Sequence, residues 1–171
     1  MRPIVLVAGL AAIGAAVAAF ILLGPRTLSA VGHDDDDGHP HPAVTAFGES
    51  GDPRSKSREV QVAMREHTDG RMAFDPDVIE VRRGEQIRFV IRNEGAVSHE
   101  MIVATLNENL RHAEEMKRNP DMMHDDPNGT RLQAHANGQI LWKFTKAGEF
   151  DFSCLIPGHR ESGMHGRIVV K

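Results

Sequence analysis

The feature that most constrains this chain is a series of short runs in which apolar side chains recur at every second position. Val60, Val62 and Met64 form one such run. In the next, Ile87, Phe89 and Ile91 face one way while Gln86, Arg88 and Arg92 face the other. A period of two is that of a strand with one face buried. Between these runs the stretch from Arg71 to Val81 is interrupted at Asp75-Pro76, where a proline cannot donate to a ladder and marks a bend or an edge. Turns are expected at Arg83-Gly84-Glu85, Asn93-Glu94-Gly95 and Ala147-Gly148-Glu149. Further strands are expected over Val97–Val103, Ile140–Phe144 with Trp142 among them, Phe150–Cys154 and Arg167–Lys171. Many short strands with glycine-marked turns predict an all-β sandwich.

One segment breaks the rule. Thr105-Leu106-Asn107-Glu108 has the pattern of a helix capping box, and Leu110, Ala113 and Met116 or Lys117 carry a helical period onward to Pro120, which should stop it. A polar loop is expected over Asp121–Gly129. This short helical stretch reads as an insertion in a β framework. Upstream, Ile4–Leu23 is almost wholly apolar and free of charge, the pattern shared by a cleaved signal over residues 1–30 and a retained membrane anchor. Either one places the rest of the chain outside the cytoplasm. Residues 31–58 turn to His, Asp, Gly, Pro and Ser, a composition that buries too little apolar area to offset its ordering entropy. They are expected to form a disordered linker, leaving 59–171 as the folded domain.

With one cysteine in 171 residues, an internal disulfide, a two- or four-cysteine zinc site and an all-cysteine iron–sulfur cluster are excluded. The net charge of −4, with no basic stripe, gives no support to nucleic-acid binding. The single thiol lies in Cys154-Leu155-Ile156-Pro157-Gly158-His159-Arg160-Glu161-Ser162-Gly163-Met164. Four residues separate Cys154 from His159, and four more separate His159 from Met164. Pro157-Gly158 tightens the loop, so a thiolate, an imidazole and a thioether can be aimed at one centre. Soft sulfur donors favour Cu(I), imidazole serves both copper oxidation states, and two histidines with one cysteine and a weak axial methionine make a blue-copper site. The second histidine must come from another strand, and His99, just past a turn, is the best candidate.

From about Glu59 to Lys171 the chain resembles the cupredoxins, in which an upstream histidine precedes a C-terminal Cys–His–Met loop. The loop spacing is similar to that of rusticyanin and auracyanin. Ser98-His99-Glu100-Met101, the His112–Asp126 insertion and Cys154-Leu155-Ile156-Pro157-Gly158-His159 resemble periplasmic cupredoxins associated with copper tolerance. The resemblance implies a Greek-key β-sandwich with the helical insertion between the first histidine and the loop, and it assigns one type 1 copper ion to His99, Cys154, His159 and Met164. Many cupredoxins carry asparagine after the first histidine. Here it is Glu100, which with Ser153 is expected to tune the centre from outside the ligand set.

Two further groups can bind copper more weakly. One is His112, Met116, Met122, Met123 and His124 in the insertion, where Met116 can equally pack the helix onto the sandwich. The other is His33, His39 and His41 beside Asp34–Asp37, which can equally be a solvated tether. Catalysis is not expected. Coupled copper oxidases place histidines on both sides of the type 1 cysteine, and here Ser153 and Leu155 hold those places. Two roles share the site: a one-electron carrier in a copper-tolerance setting, or a protein that sequesters or delivers copper. The expected partner is a redox or copper-handling protein of the cell envelope, met by a monomer that touches membrane only through residues 4–23.

Overall fold

A computed structural model describes residues 45–120 and 126–171. Ten strands form two five-stranded sheets. The first sheet runs in the order β1 (Gly48–Ser50), β8 (Asn137–Phe144), β5 (Gln86–Asn93), β2 (Arg58–Glu66), β3 (Met72–Asp75). The second runs β4 (Val78–Val81), β10 (His165–Val170), β9 (Gly148–Ser153), β6 (His99–Ala104), β7 (Gly129–Leu132). Among the described residues a single helix, α1 (Leu106–Arg118), lies between β6 and β7 in the chain. Among the described residues no helix is long and apolar enough to cross a membrane. The expected signal or anchor over residues 4–23 falls outside the described residues.

The alternation read from sequence becomes the core. Ile87, Phe89 and Ile91 are fully buried, as are Met64, Trp142, Phe144 and Phe152. Aromatic rings stitch the two sheets together: Phe74 of β3 meets Phe152 of β9 edge-on at 5.1 Å, and Phe47 lies 5.3 Å from Trp142 and 5.4 Å from Phe150. The expected break at Asp75-Pro76 separates β3 from β4 and carries a cis peptide bond. The strand that ends before it and the strand that follows it belong to different sheets.

Two expectations need correction, on where order begins and on the buried face of the helix. Ordered structure reaches back beyond Glu59 to Thr45, because Phe47 fills the core and β1 pairs with β8. Strand β7, not among the expected strands, begins where the expected polar loop ends and pairs with β6, with Leu132 opposite His99. Gln86 lies off the core face as expected, and is buried there because its side-chain amide bonds to the backbone of Asp52 and Ser55. The helix buries Asn109 and leaves Leu110 exposed, because the Asn109 amide donates to the Ile102 carbonyl and to Asp151. Otherwise the helix is as expected. Thr105 caps it in a reciprocal box with Glu108, it ends at Arg118 before Pro120, and Met116 packs fully buried against Ile102 and Leu155.

Candidate metal centre

Strands β9 and β10 are antiparallel neighbours with Ser153 opposite His165, so the residues between them form one closed loop at the end of the second sheet. Within it the backbone folds on itself. Cys154 N–H donates to the Met164 carbonyl at 3.0 Å, Met164 N–H to the His159 carbonyl at 3.1 Å, and His159 N–H to the Ile156 carbonyl at 3.0 Å. Gly158 and Gly163 take φ of 89° and 102°, left-handed turns that an ordinary residue would strain to make. The loop is also tied to the first sheet, since Met72 N–H donates to the Ser162 carbonyl at 2.9 Å.

Strand β6 lies beside β9 and delivers His99 to the same end. His99 Nδ1 stands 3.1 Å from His159 Nδ1, and Cys154 Sγ stands 3.3 Å from that same nitrogen. One ligating atom from each of His99, Cys154 and His159 falls within 4.8 Å of the others, the one such His/Cys/Asp/Glu cluster among the described residues. His99 and Cys154 are inaccessible to solvent while His159 is half-buried, so the cluster sits just under the surface with one imidazole as its outer edge. Met164 is fully buried and bonds through its backbone to both Cys154 and His159.

Burial sets the protonation of these groups. It pushes the Cys154 thiol up to about 12, with the nearby Glu100 carboxylate adding to the rise and the Glu100 N–H opposing it. Burial also holds His99 and His159 below the ordinary imidazole value, although Glu66 draws His99 partly back. At neutral pH the metal-free site therefore carries two neutral imidazoles and one protonated thiol. The imidazoles are ready donors, and the thiol must lose its proton to ligate.

The donor set suits copper. A soft sulfur and two imidazole nitrogens converge in a site shielded from water, with no carboxylate in the cluster to favour a hard cation. Comparison with known proteins agrees. The model of the copper binding proteins, plastocyanin/azurin family, matches residues 60–171, more than half of the chain. The chain belongs to that family. Within the cupredoxins, it is 46% identical over 144 residues to the copper-resistant cuproprotein CopI of Rubrivivax gelatinosus, covering 82% of this chain and 85% of that one. It is 31% identical over 158 residues to CopI of Pseudomonas aeruginosa, covering 74% and 83%. Among solved structures, the reduced auracyanin of Roseiflexus castenholzii superposes with a TM-score of 0.57 at 20% identity, over 68% of this chain and 99% of that one, a likeness of fold.

Around this cupredoxin centre the departure at Glu100 has a structural answer. Glu100 is buried; its N–H donates to Cys154 Sγ at 3.4 Å and its carboxylate accepts from Leu155 N–H at 3.0 Å. One residue thus clamps both sides of the cysteine. Ser153 donates to Asp151 at 2.6 Å. Asp151 also takes a two-point ion pair from Arg160, at 2.9 and 3.0 Å, and the amide of Asn109 at 2.7 Å. The residue next to His159 is thereby fastened to β9 and to α1.

Of the other sequence candidates, His112 lies half-buried on α1 with Nδ1 3.9 Å from Glu115, away from the cluster. Met122, Met123 and His124, like His33, His39 and His41, lie outside the described residues. Sequence reasoning missed Glu66, Asp151 and Arg160. A glutamate ending a strand and a lone Asp–Arg pair nine residues apart carry no motif.

Proposed function

We propose that this chain is an exported cupredoxin whose His99, Cys154 and His159 hold one type 1 copper ion with Met164 as the weak axial donor, and that it works as a one-electron protein in periplasmic copper tolerance. The observation that carries the reading is the convergence of His99 Nδ1, Cys154 Sγ and His159 Nδ1 from two neighbouring strands. When bound, copper supplies a one-electron couple between Cu(I) and Cu(II). The protein's part is to keep the donors in one arrangement through both states. Backbone bonds close the loop, Glu100 clamps the cysteine, and Asp151 pins Arg160, the residue after His159. His159 is the outward edge through which an electron reaches a partner in the cell envelope. Ser153 and Leu155 offer no imidazole bridge to further coppers: one is bonded to Asp151 and the other is packed beneath α1. A carrier therefore fits better than a coupled oxidase.

The copper-resistance names of the relatives favour a second purpose for the same site, the sequestering or delivery of copper. Loading the full chain with Cu(II) under non-reducing conditions separates the outcomes. An intense visible charge-transfer band with about one tightly held copper, abolished by Cys154→Ala, is expected. Colourless copper that survives Cys154→Ala supports the storage role. No band in the wild-type chain refutes the type 1 assignment.

A further inference from the structure

His99 is held from behind. His99 turns Nδ1 toward the cluster, and its other nitrogen, Nε2, lies 3.1 Å from Oε1 of Glu66. Glu66 is the last residue of β2, in the opposite sheet, so the contact crosses the sandwich at the end where the loop folds. The same oxygen accepts the N–H groups of Ala96 at 2.9 Å and Val97 at 3.0 Å. An oxygen surrounded by two backbone donors accepts from the imidazole as well. A neutral imidazole that donates from one nitrogen presents a lone pair at the other. The arrangement thus selects the tautomer with the proton on Nε2 and leaves Nδ1 open toward Cys154 and His159.

The surroundings are built for this approach. A Cβ on Gly95 would overlap Glu66 Oε1 and sit 3.1 Å from His99 Nε2, so the carboxylate reaches the ring only because that residue is glycine. Asn93, fully buried, locks the turn that carries Gly95. Its side-chain oxygen accepts from Gly95 N–H at 2.9 Å, and its amide donates to the carbonyls of Val97, Leu132 and Gln133. The neighbouring cation, Arg65, is engaged by Glu94 and Asp75 at 2.8 and 2.9 Å. The Glu66 charge is met instead by N–H dipoles and the ring of His99.

We propose that Glu66 is a positioning residue of the copper centre: it fixes the ring and tautomer of His99 so that Nδ1 ligates, and its carboxylate, one imidazole removed from the metal, biases the centre toward Cu(II). This rests on the ligand set proposed above. Groups behind a metal-bound histidine orient the ring and raise its basicity, and their removal commonly lowers metal affinity by about 10–100-fold. A negative charge behind the ring stabilises the more positive ion.

Three variants of the full chain and one measurement on the metal-free wild type test it. Nitrogen NMR of the metal-free protein should show His99 protonated on Nε2; protonation on Nδ1 overturns the proposal without any mutant. Glu66→Gln keeps an acceptor oxygen and removes the charge. It should retain the visible band and lose about tenfold in preference for Cu(II) over Cu(I), a rise in reduction potential of about 59 mV for one electron. Glu66→Ala removes both and should mix the His99 tautomers, shift the band and weaken copper about 10–100-fold. An unchanged potential in Glu66→Gln, or unchanged tautomer and affinity in a folded Glu66→Ala, refutes the role. Should Glu66→Ala not fold, the wild-type tautomer and the Glu66→Gln potential still decide. Cys154→Ala tests the ligand set separately: a band that survives it overturns the ligand reading and this role with it, whereas a lost band beside silent Glu66 variants overturns this role alone.

Discussion

Copper uptake by this site should release one proton per ion over an unusually wide pH range. The perturbation is pH itself, varied from about 5 to 11 with Cu(I) under anaerobic conditions so that the thiol is not oxidised. With the Cys154 thiol pushed up to about 12, only about one site in ten thousand carries a thiolate at pH 8. With His99 and His159 held below the ordinary imidazole value, neither carries a proton to lose there. Binding therefore expels the Cys154 proton alone. Apparent affinity should rise tenfold, about 1.4 kcal/mol, for each pH unit from about 7 to about 11. An exposed set of the same groups would behave otherwise. A thiol near 8.5 would flatten the slope above about pH 9, and imidazoles near 6.5 would steepen it as soon as pH fell below about 6.5. Here the steepening is displaced to lower pH, because burial disfavours imidazolium in the fold. The assay is calorimetry in buffers of differing ionisation enthalpy at fixed pH, paired with competition against a chelator of known pH dependence. Cys154→Ala should release no proton near pH 8. Fewer than half a proton per copper at pH 8, or an affinity that levels off at pH 9, would refute the account of a thiol kept protonated by burial.

Two further outcomes follow from the supports of the loop. Arg160 and Asp151 form a two-point ion pair with side chains only 15% and 9% exposed, so Arg160→Met strands a carboxylate. The expected loss in urea denaturation of the metal-free chain is about 3 kcal/mol, partly recovered when Asp151→Asn is added; a loss under about 1 kcal/mol would contradict it. Met116 is fully buried against Ile102 and Leu155, so Met116→Ala should remove about 2–5 kcal/mol while Met116→Leu stays within about 1.5 kcal/mol and binds the same number of coppers. A copper lost from the leucine variant would instead make Met116 a ligand.

Much of the fold was legible because its signals are local. A proline at Asp75-Pro76 and a glycine at Gly84 or Gly148 mark turns whatever else surrounds them. The capping box at Thr105 needs only four residues to be recognised. The Cys154–Met164 loop was legible for the same reason, since three metal-binding side chains share one short glycine- and proline-bearing segment. What escaped depends on partners far away in the chain. Strand β1 is announced by one core aromatic, Phe47, in an otherwise polar stretch, and β7 by Leu132 alone. Asn109 is buried because Asp151, 42 residues on, accepts its amide, and no periodicity reveals that. Glu66 is hidden most completely: 33 residues separate it from His99, and the glycine that admits it lies in a third segment.

The supports share a chemical logic. Each of the three clustered donors is backed by a carboxylate from outside the cluster. Glu66 holds His99 directly, Glu100 bonds to Leu155 N–H beside Cys154, and Asp151 reaches the His159 segment through Arg160. Their electrostatic consequences differ. Asp151 is matched by a guanidinium in a two-point pair, so it contributes rigidity with little net field. Glu66 is met by the N–H groups of Ala96 and Val97 and by the ring of His99, and Glu100 accepts from the N–H of Leu155. A carboxylate held behind a ligand, as proposed for Glu66, should favour the higher charge on the metal. The Glu100 carboxylate also raises the cost of ionising the metal-free Cys154 thiol. A carboxylate that resists ionisation of the metal-free thiol should favour the oxidised state once copper is bound, because the metal's own charge reverses the balance. A site arranged in this way discriminates between filled and empty more sharply than its three donors would alone.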